Sequence, residues 1–212
     1  MFKSILKSST AISNLLAGTL KNRDGVAAIE FAIIAPVMIF MYLGLAELSL
    51  LVTADRNVSH ASAVTADLST QTETLTGSDI EDIFDASLAV LGANYTNAAR
   101  FSVDIISFEV DADDNIQEVG YAKLGSGFTT KIDPEPIMTA SPALLNQTSG
   151  LVVTRVMYEY HSVSQRYVGT PTLTETFMLK PRKSASVVFV EGGGHTVTCT
   201  VANDDGFPRA SC

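Results

Sequence analysis

One stretch constrains this chain more than any other. From Phe31 to Ala46 the sequence holds no charged residue, and Glu30 stands directly in front of it. As a helix that run measures about 24 Å at 1.5 Å per residue, short of a hydrocarbon core of roughly 30 Å. Starting at Val26 lengthens it to about 31 Å, which spans a bilayer but takes Glu30 inside. Running on to Val52 also spans, and takes in Glu47. Either choice leaves a carboxylate at or within the membrane edge, where charge is unfavourable and marks function. The two glutamates sit about 100° apart around a helix, so they do not form one polar stripe. Pro36 follows Glu30 and Phe31 by about one turn and is expected to weaken or kink the helix.

Charge gives the segment a direction. Lys3, Lys7, Lys21 and Arg23 precede it against Asp24, a sum of +3, so the total of −9 places −12 on the remainder. No basic residue follows until Arg56. The positive-inside rule then sets residues 1–25 in the cytoplasm and the acidic body outside. That body has no basic patch, which argues against nucleic-acid binding. A removable secretory signal fits poorly: the patch from Ala11 to Leu20 contains Ser13, Asn14 and Thr19, and the strong apolar run lies further on.

The string Gly25-Val26-Ala27-Ala28-Ile29-Glu30-Phe31, between a basic leader and an apolar helix, resembles the processing site of class III prepilins of the tight-adherence (Tad) pilus. The longer string Glu30-Phe31-Ala32-Ile33-Ile34-Ala35-Pro36-Val37, then Gly44-Leu45-Ala46-Glu47, is similar to the N-terminal segment of TadE-like pseudopilins. The resemblance implies that a prepilin peptidase cuts after Gly25, leaving Val26 as the new N-terminus and Glu30 at the fifth mature position beside Phe31. It implies as partners that peptidase, other major and minor Tad pilins, the inner-membrane assembly platform and the lipid bilayer. No cofactor is implied. Residues 1–25 are then a cytoplasmic leader, 26–52 a transmembrane assembly helix, 53–70 a helical stem and 71–212 a periplasmic head. The competing reading is an uncleaved single-pass anchor presenting a periplasmic protein-binding domain.

Beyond the apolar run, Leu51, Ala54, Val58, Ala61 and Thr65 keep a helical spacing, so the first helix is predicted to reach about Ser69. Gln71 to Gly77 reads as a polar break. Ser78-Asp79-Ile80-Glu81 reads as a capping box for a second helix, with Ile80, Ile83, Phe84, Leu88 and Leu91 on its apolar face. Its acidic residues Asp79, Glu81, Asp82 and Asp85 suit the positive end of the helix dipole.

Strands are predicted at Phe101–Val110, Ile116–Leu124, Leu151–Ser162, Ser184–Val190 and Thr196–Val201. In the first, the apolar face switches between Ile105 and Ile106, which predicts a bulge or bend. Asp111 to Asn115 resembles the start of a calcium loop, but Ile116 and Ala122 stand where an EF-hand needs Gly and Glu, so a hairpin turn is expected. A helical turn is expected at Pro142–Leu145 and a flexible glycine turn at Glu191–His195. Helices followed by strands predict an α+β fold, a long N-terminal transmembrane helix with a pilin-like head whose antiparallel sheet packs on helix.

Cys199 and Cys212 enclose a short loop near the C-terminus. In an oxidising compartment they can form a bridge contributing roughly 3 kcal/mol in the chain-entropy model, the alternative being two free thiols. His60, His161 and His195 have no carboxylate or cysteine at metal-ligand spacing, and no nucleophile elbow or dinucleotide fingerprint is present. A structural protein, not an enzyme, is therefore expected.

Overall fold

The computed structural model describes residues 25–92, 100–113, 115–140, 149–162, 165, 168–190, 195–204 and 207–212. Apart from Gly25, the leader lies outside the described residues, as do the turn expected at Pro142–Leu145 and residues 191–194 of the turn expected at Glu191–His195. The chain divides into two compact units, one ending at Ala46 and one running from Glu47 to Cys212. Helix α1 (Val26–Ser69) contributes to both and is continuous through Pro36.

In the second unit α1 turns small residues inward. Ala54, Val58, Ala61, Thr65, Ala66 and Ser69 are buried, at the helical spacing read from sequence. Their hydroxyls are satisfied locally. Thr65 Oγ1 donates to the Ala61 carbonyl at 2.7 Å and lies 2.7 Å from Ser87 Oγ, while Ser69 Oγ donates to the Thr65 carbonyl at 2.6 Å. Small side chains thus allow close approach to α2 (Gly77–Leu91), with the Thr65 and Ser69 hydroxyls paired and the buried Ser62 hydroxyl without a partner among the described residues.

The predicted polar break contains a short strand, β1 (Thr74–Thr76), and this moves the start of α2. The capping box is Thr76 with Asp79, two residues before the expected Ser78 and Glu81. Thr76 N–H donates to Asp79 Oδ2 at 2.9 Å, and Asp79 N–H donates to Thr76 Oγ1 at 3.4 Å. The Thr76 hydroxyl, then its N–H, hold the Asp79 carboxyl below its ordinary value. The apolar face of α2 is as read, with Ile80, Ile83, Phe84, Leu88 and Leu91 buried. Thr76→Ala is expected to destabilise the head by about 1 kcal/mol at neutral pH. Because the folded carboxyl is depressed, its contribution is present above the unfolded value of 3.8 and is lost as pH falls through the folded one. Urea melts of both proteins check this: the gap should narrow in acid, and an unchanged gap would reject the cap.

Six strands form the main sheet: β2 (Phe101–Val110), β3 (Ile116–Leu124), β4 (Gly150–Glu159), β5 (Thr172–Leu179), β7 (Thr196–Asp204) and β8 (Phe207–Ser211), in the order β5-β4-β2-β3-β7-β8. A short helix, α3 (Glu135–Ala140), lies between β3 and β4, and β6 (Val188–Val190) pairs in parallel with β1. The sheet is not wholly antiparallel, as expected from sequence, because β7 runs parallel to β3. The chain between β5 and β7 is long enough to visit β1 and return, and a parallel neighbour requires such a crossover. β4 is two-sided and ends at Glu159 rather than Ser162, and β6 keeps only the last part of the strand expected from Ser184.

Both faces of the sheet are buried. Val103, Ile105, Val152, Val156, Tyr158, Val197 and Cys199 join the helices in one core. Ile106, Phe108, Val110, Leu151 and Val153 form the other, with Ile137. The apolar switch between Ile105 and Ile106 is therefore no bend: β2 alternates straight through, and its two halves bury opposite faces. The register shift against β3 falls later, between Ser107 and Phe108. Phe189 lies on the β3 backbone at Gly120, where an added Cβ would come within 2.5 Å of its ring. Cys199 and Cys212 are joined in a disulfide that closes the β7–β8 hairpin.

Candidate functional site

The N-terminal half of α1 is built to be covered by something else. Val26, Ile29, Phe31, Ile33, Ile34, Val37 and the large apolar residues after them are all exposed, Phe31 at 71%. The helix is long and apolar enough to cross a membrane, and none of its most apolar stretch is buried. Apolar surface on this scale belongs in lipid or against other chains.

Gly25 is the residue immediately before the helix, and Val26 is its first residue. Glu30, exposed, follows one turn later on the side of Val26. The helix start leaves the first N–H groups without intrahelical acceptors, so a carboxylate one turn in lies close to unsatisfied donors. The two glutamates differ in setting. Glu47 is buried at 5% exposure and begins the second unit, whereas Glu30 stays on the exposed apolar segment. Pro36 is exposed within the same segment.

The acidic start of α2 does more than face a helix dipole. Asp85 Oδ1 accepts the Ala210 N–H at 2.6 Å, and Glu81 Oε1 accepts the Cys212 N–H at 2.6 Å. These carboxylates hold the last strand and the disulfide against α2. In the β2–β3 turn, Asp111 Oδ1 accepts N–H groups from Asp113 at 2.8 Å and Asn115 at 2.9 Å. The Asn115 N–H is the main cause of a carboxyl value below the ordinary one. Asp111 is thus committed to its own turn.

Sequence reading missed one buried ion pair. Asp104 on β2 and Arg155 on β4 are cross-strand partners. Arg155 Nε donates to Asp104 Oδ1 at 3.0 Å, and its Nη2 donates to Asp104 Oδ2 and to the Thr130 carbonyl, the latter at 2.8 Å. The guanidinium also lies over Phe128, 4.3 Å from the ring centroid. Burial pushes the Asp104 carboxyl above its ordinary value, against the pull of Arg155. The pair pins the chain after β3 onto the second core.

Among the described residues no group of three His, Cys, Asp or Glu is placed to hold a metal ion. His60 and His195 are exposed and His161 is half-buried. A shallow cleft beside α2, lined by Leu68, Leu75, Asp79 and Ile83 among others, encloses about 200 Å³, below the usual ligand-pocket range.

A long exposed apolar N-terminal helix with a sheet-rich α+β head is the architecture of a pilin-like protein. The model of the TadE-like protein family matches residues 25–67, which places that segment among the TadE-like proteins of the Tad pilus system. That family is structural, not enzymatic, and its setting implies association with other pilus components. No curated protein and no solved structure matches the chain.

Proposed function

We propose that this protein is a minor pilin, or pseudopilin, of a Tad-type pilus, cut after Gly25 by a prepilin peptidase and inserted into the assembly through residues 26–52. The supporting observation is a coincidence of starts: the family match opens at residue 25, the helix opens at Val26, and Glu30 lies one turn inside an otherwise uncharged exposed segment. In this reading the basic leader holds the precursor N-in across the inner membrane, and residues 53–70 form the stem of a periplasmic head at 71–212. The assembly platform and the other major and minor Tad pilins receive the mature subunit, which serves priming or the pilus tip in surface adhesion.

Cutting exposes an α-amino group whose reference pKa near 8 leaves it largely cationic at pH 7. In a bundle of apolar helices either charge alone is destabilising by several kcal/mol. Glu30 of an incoming subunit offsets the Val26 amine of a neighbour only in one stagger, so the pair selects register. Pro36 lacks the N–H of a regular turn and loosens the helix for extraction from lipid.

N-terminal sequencing of membrane and filament fractions, with and without active peptidase, tests the reading. A mature chain beginning at Val26 is expected only where the peptidase is active. A Met1 start in its presence would replace this proposal with the uncleaved anchor.

A further inference from the structure

The end of the last strand is attached to the head by few groups. From Pro208 onward, Arg209, Ser211 and Cys212 are exposed, and Pro208 and Ala210 are half-buried. Three attachments hold it. β8 pairs antiparallel with β7, Ser211 opposite Thr200 and Ala210 opposite Val201. Asp85 and Glu81 of α2 accept the N–H groups of Ala210 and Cys212. The disulfide joins Cys212 to Cys199.

The two cysteines sit unequally. Cys199 is 1% exposed, lies in the core shared with α2, and stands on β7 opposite Leu124 of β3. Cys212 follows β8 and is exposed. One sulfur thus belongs to the interior of the sheet and the other to the end of its edge strand. Thiol–disulfide exchange needs a second sulfur to approach the first, and the packing around Cys199 leaves no such approach.

We infer that the β7–β8 hairpin is a redox-gated clasp, in which Cys212 is the sulfur that meets a dithiol–disulfide partner and Cys199 is the buried sulfur that completes the bridge. Without the bridge, β8 keeps only its ladder to β7 and two hydrogen bonds to carboxylates, and water can replace both. A link across a sequence separation of 13 favours the docked strand by roughly 100-fold in the chain-entropy model. Reduction therefore frees β8 from α2, while β2, β3 and β4 keep their own pairing. Closure runs in two exchanges. The Cys212 thiolate attacks one sulfur of the partner's disulfide, and the partner's other sulfur leaves as a thiolate. As β8 docks, Cys199 gives its proton to that thiolate and attacks Cys212 Sγ, expelling the partner's remaining sulfur. Two electrons and two protons pass to the partner, which ends as a dithiol. Only the meeting with such an oxidant rests on the proposed export of the head; purified protein tests the clasp apart from cutting after Gly25.

Full-length protein in detergent is compared with and without tris(carboxyethyl)phosphine by hydrogen exchange. Exchange across residues 207–212 is expected to rise roughly 100-fold on reduction, with β2 and β4 unchanged, and to return on reoxidation. Limiting iodoacetamide on the reduced wild type should fall on Cys212 first. With oxidised glutathione as the probe disulfide, Cys212 of a Cys199→Ser variant should be labelled at least tenfold faster than Cys199 of a Cys212→Ser variant. Unchanged exchange at 207–212, protection lost throughout the sheet, or equal labelling of the two cysteines would each overturn the inference.

Discussion

Replacing Arg155 with methionine is expected to lower the stability of the head by about 3–5 kcal/mol, because it strands a buried carboxylate. Asp104 is fully buried, and its opposite charge comes from the cross-strand Arg155. The same guanidinium reaches the Thr130 carbonyl and covers Phe128, so its loss also frees the chain after β3. The two positions are not equivalent. Replacing both residues with leucine removes the desolvation penalty along with the attraction and is expected to be near neutral. The sign with pH follows from burial. Asp104 has a raised carboxyl value in the fold, so the native state holds its proton more readily than the unfolded chain. Stability from this group therefore falls as pH rises through that value and recovers as pH falls. Without Arg155 the value rises further, so Arg155→Met should lose most near pH 7 and regain stability toward acid. Denaturant melts of the single and double variants across pH decide it. A double variant as unstable as Arg155→Met would show that packing, not the stranded charge, dominates.

The second large effect is expected at Glu30. Glu30→Ala should leave cutting after Gly25 intact while reducing incorporation roughly 30- to 100-fold, the equivalent of about 2–3 kcal/mol at 1.4 kcal/mol per decade. In the proposed assembly, the change removes the group that offsets a neighbour's Val26 amine in an apolar setting. It does not alter the exposed apolar face of α1, which is long and apolar enough to cross a membrane, so the subunit should still reach the membrane. Quantifying the variant in filaments and by co-purification with other pilus subunits separates the steps. Wild-type incorporation would end the assembly role of Glu30, and loss of cutting would move its role to peptidase recognition.

Much of the secondary structure was legible because it rests on local patterns. The stem face of α1, the apolar face of α2, and the full extents of β2 and β3 follow from spacing over a few turns or residues. What escaped had weak local signals. β5 alternates threonine with larger residues and stays largely exposed, so nothing in it resembles a core strand. β8 is short and holds Pro208, which counts against a strand unless the residue lies on an edge, as it does. β1 has three residues and exists because β6 lies beside it. The cap of α2 slipped by two residues because Thr76 and Ser78 are both good N-caps, and the end of β1 selects Thr76.

The sequence by itself determined an apolar N-terminal helix, the carboxylate at its start and the charge asymmetry across it, since length, hydropathy and net charge are properties of contiguous residues. It also determined two helices ahead of a sheet-rich body. Only the tertiary structure decided that Glu47 is buried while Glu30 is exposed, that Asp104 meets Arg155, that Glu81 and Asp85 seal β8, and that the sheet buries both faces. Those outcomes join residues up to 131 positions apart, and no local periodicity encodes which distant group arrives to take a buried charge or an open N–H.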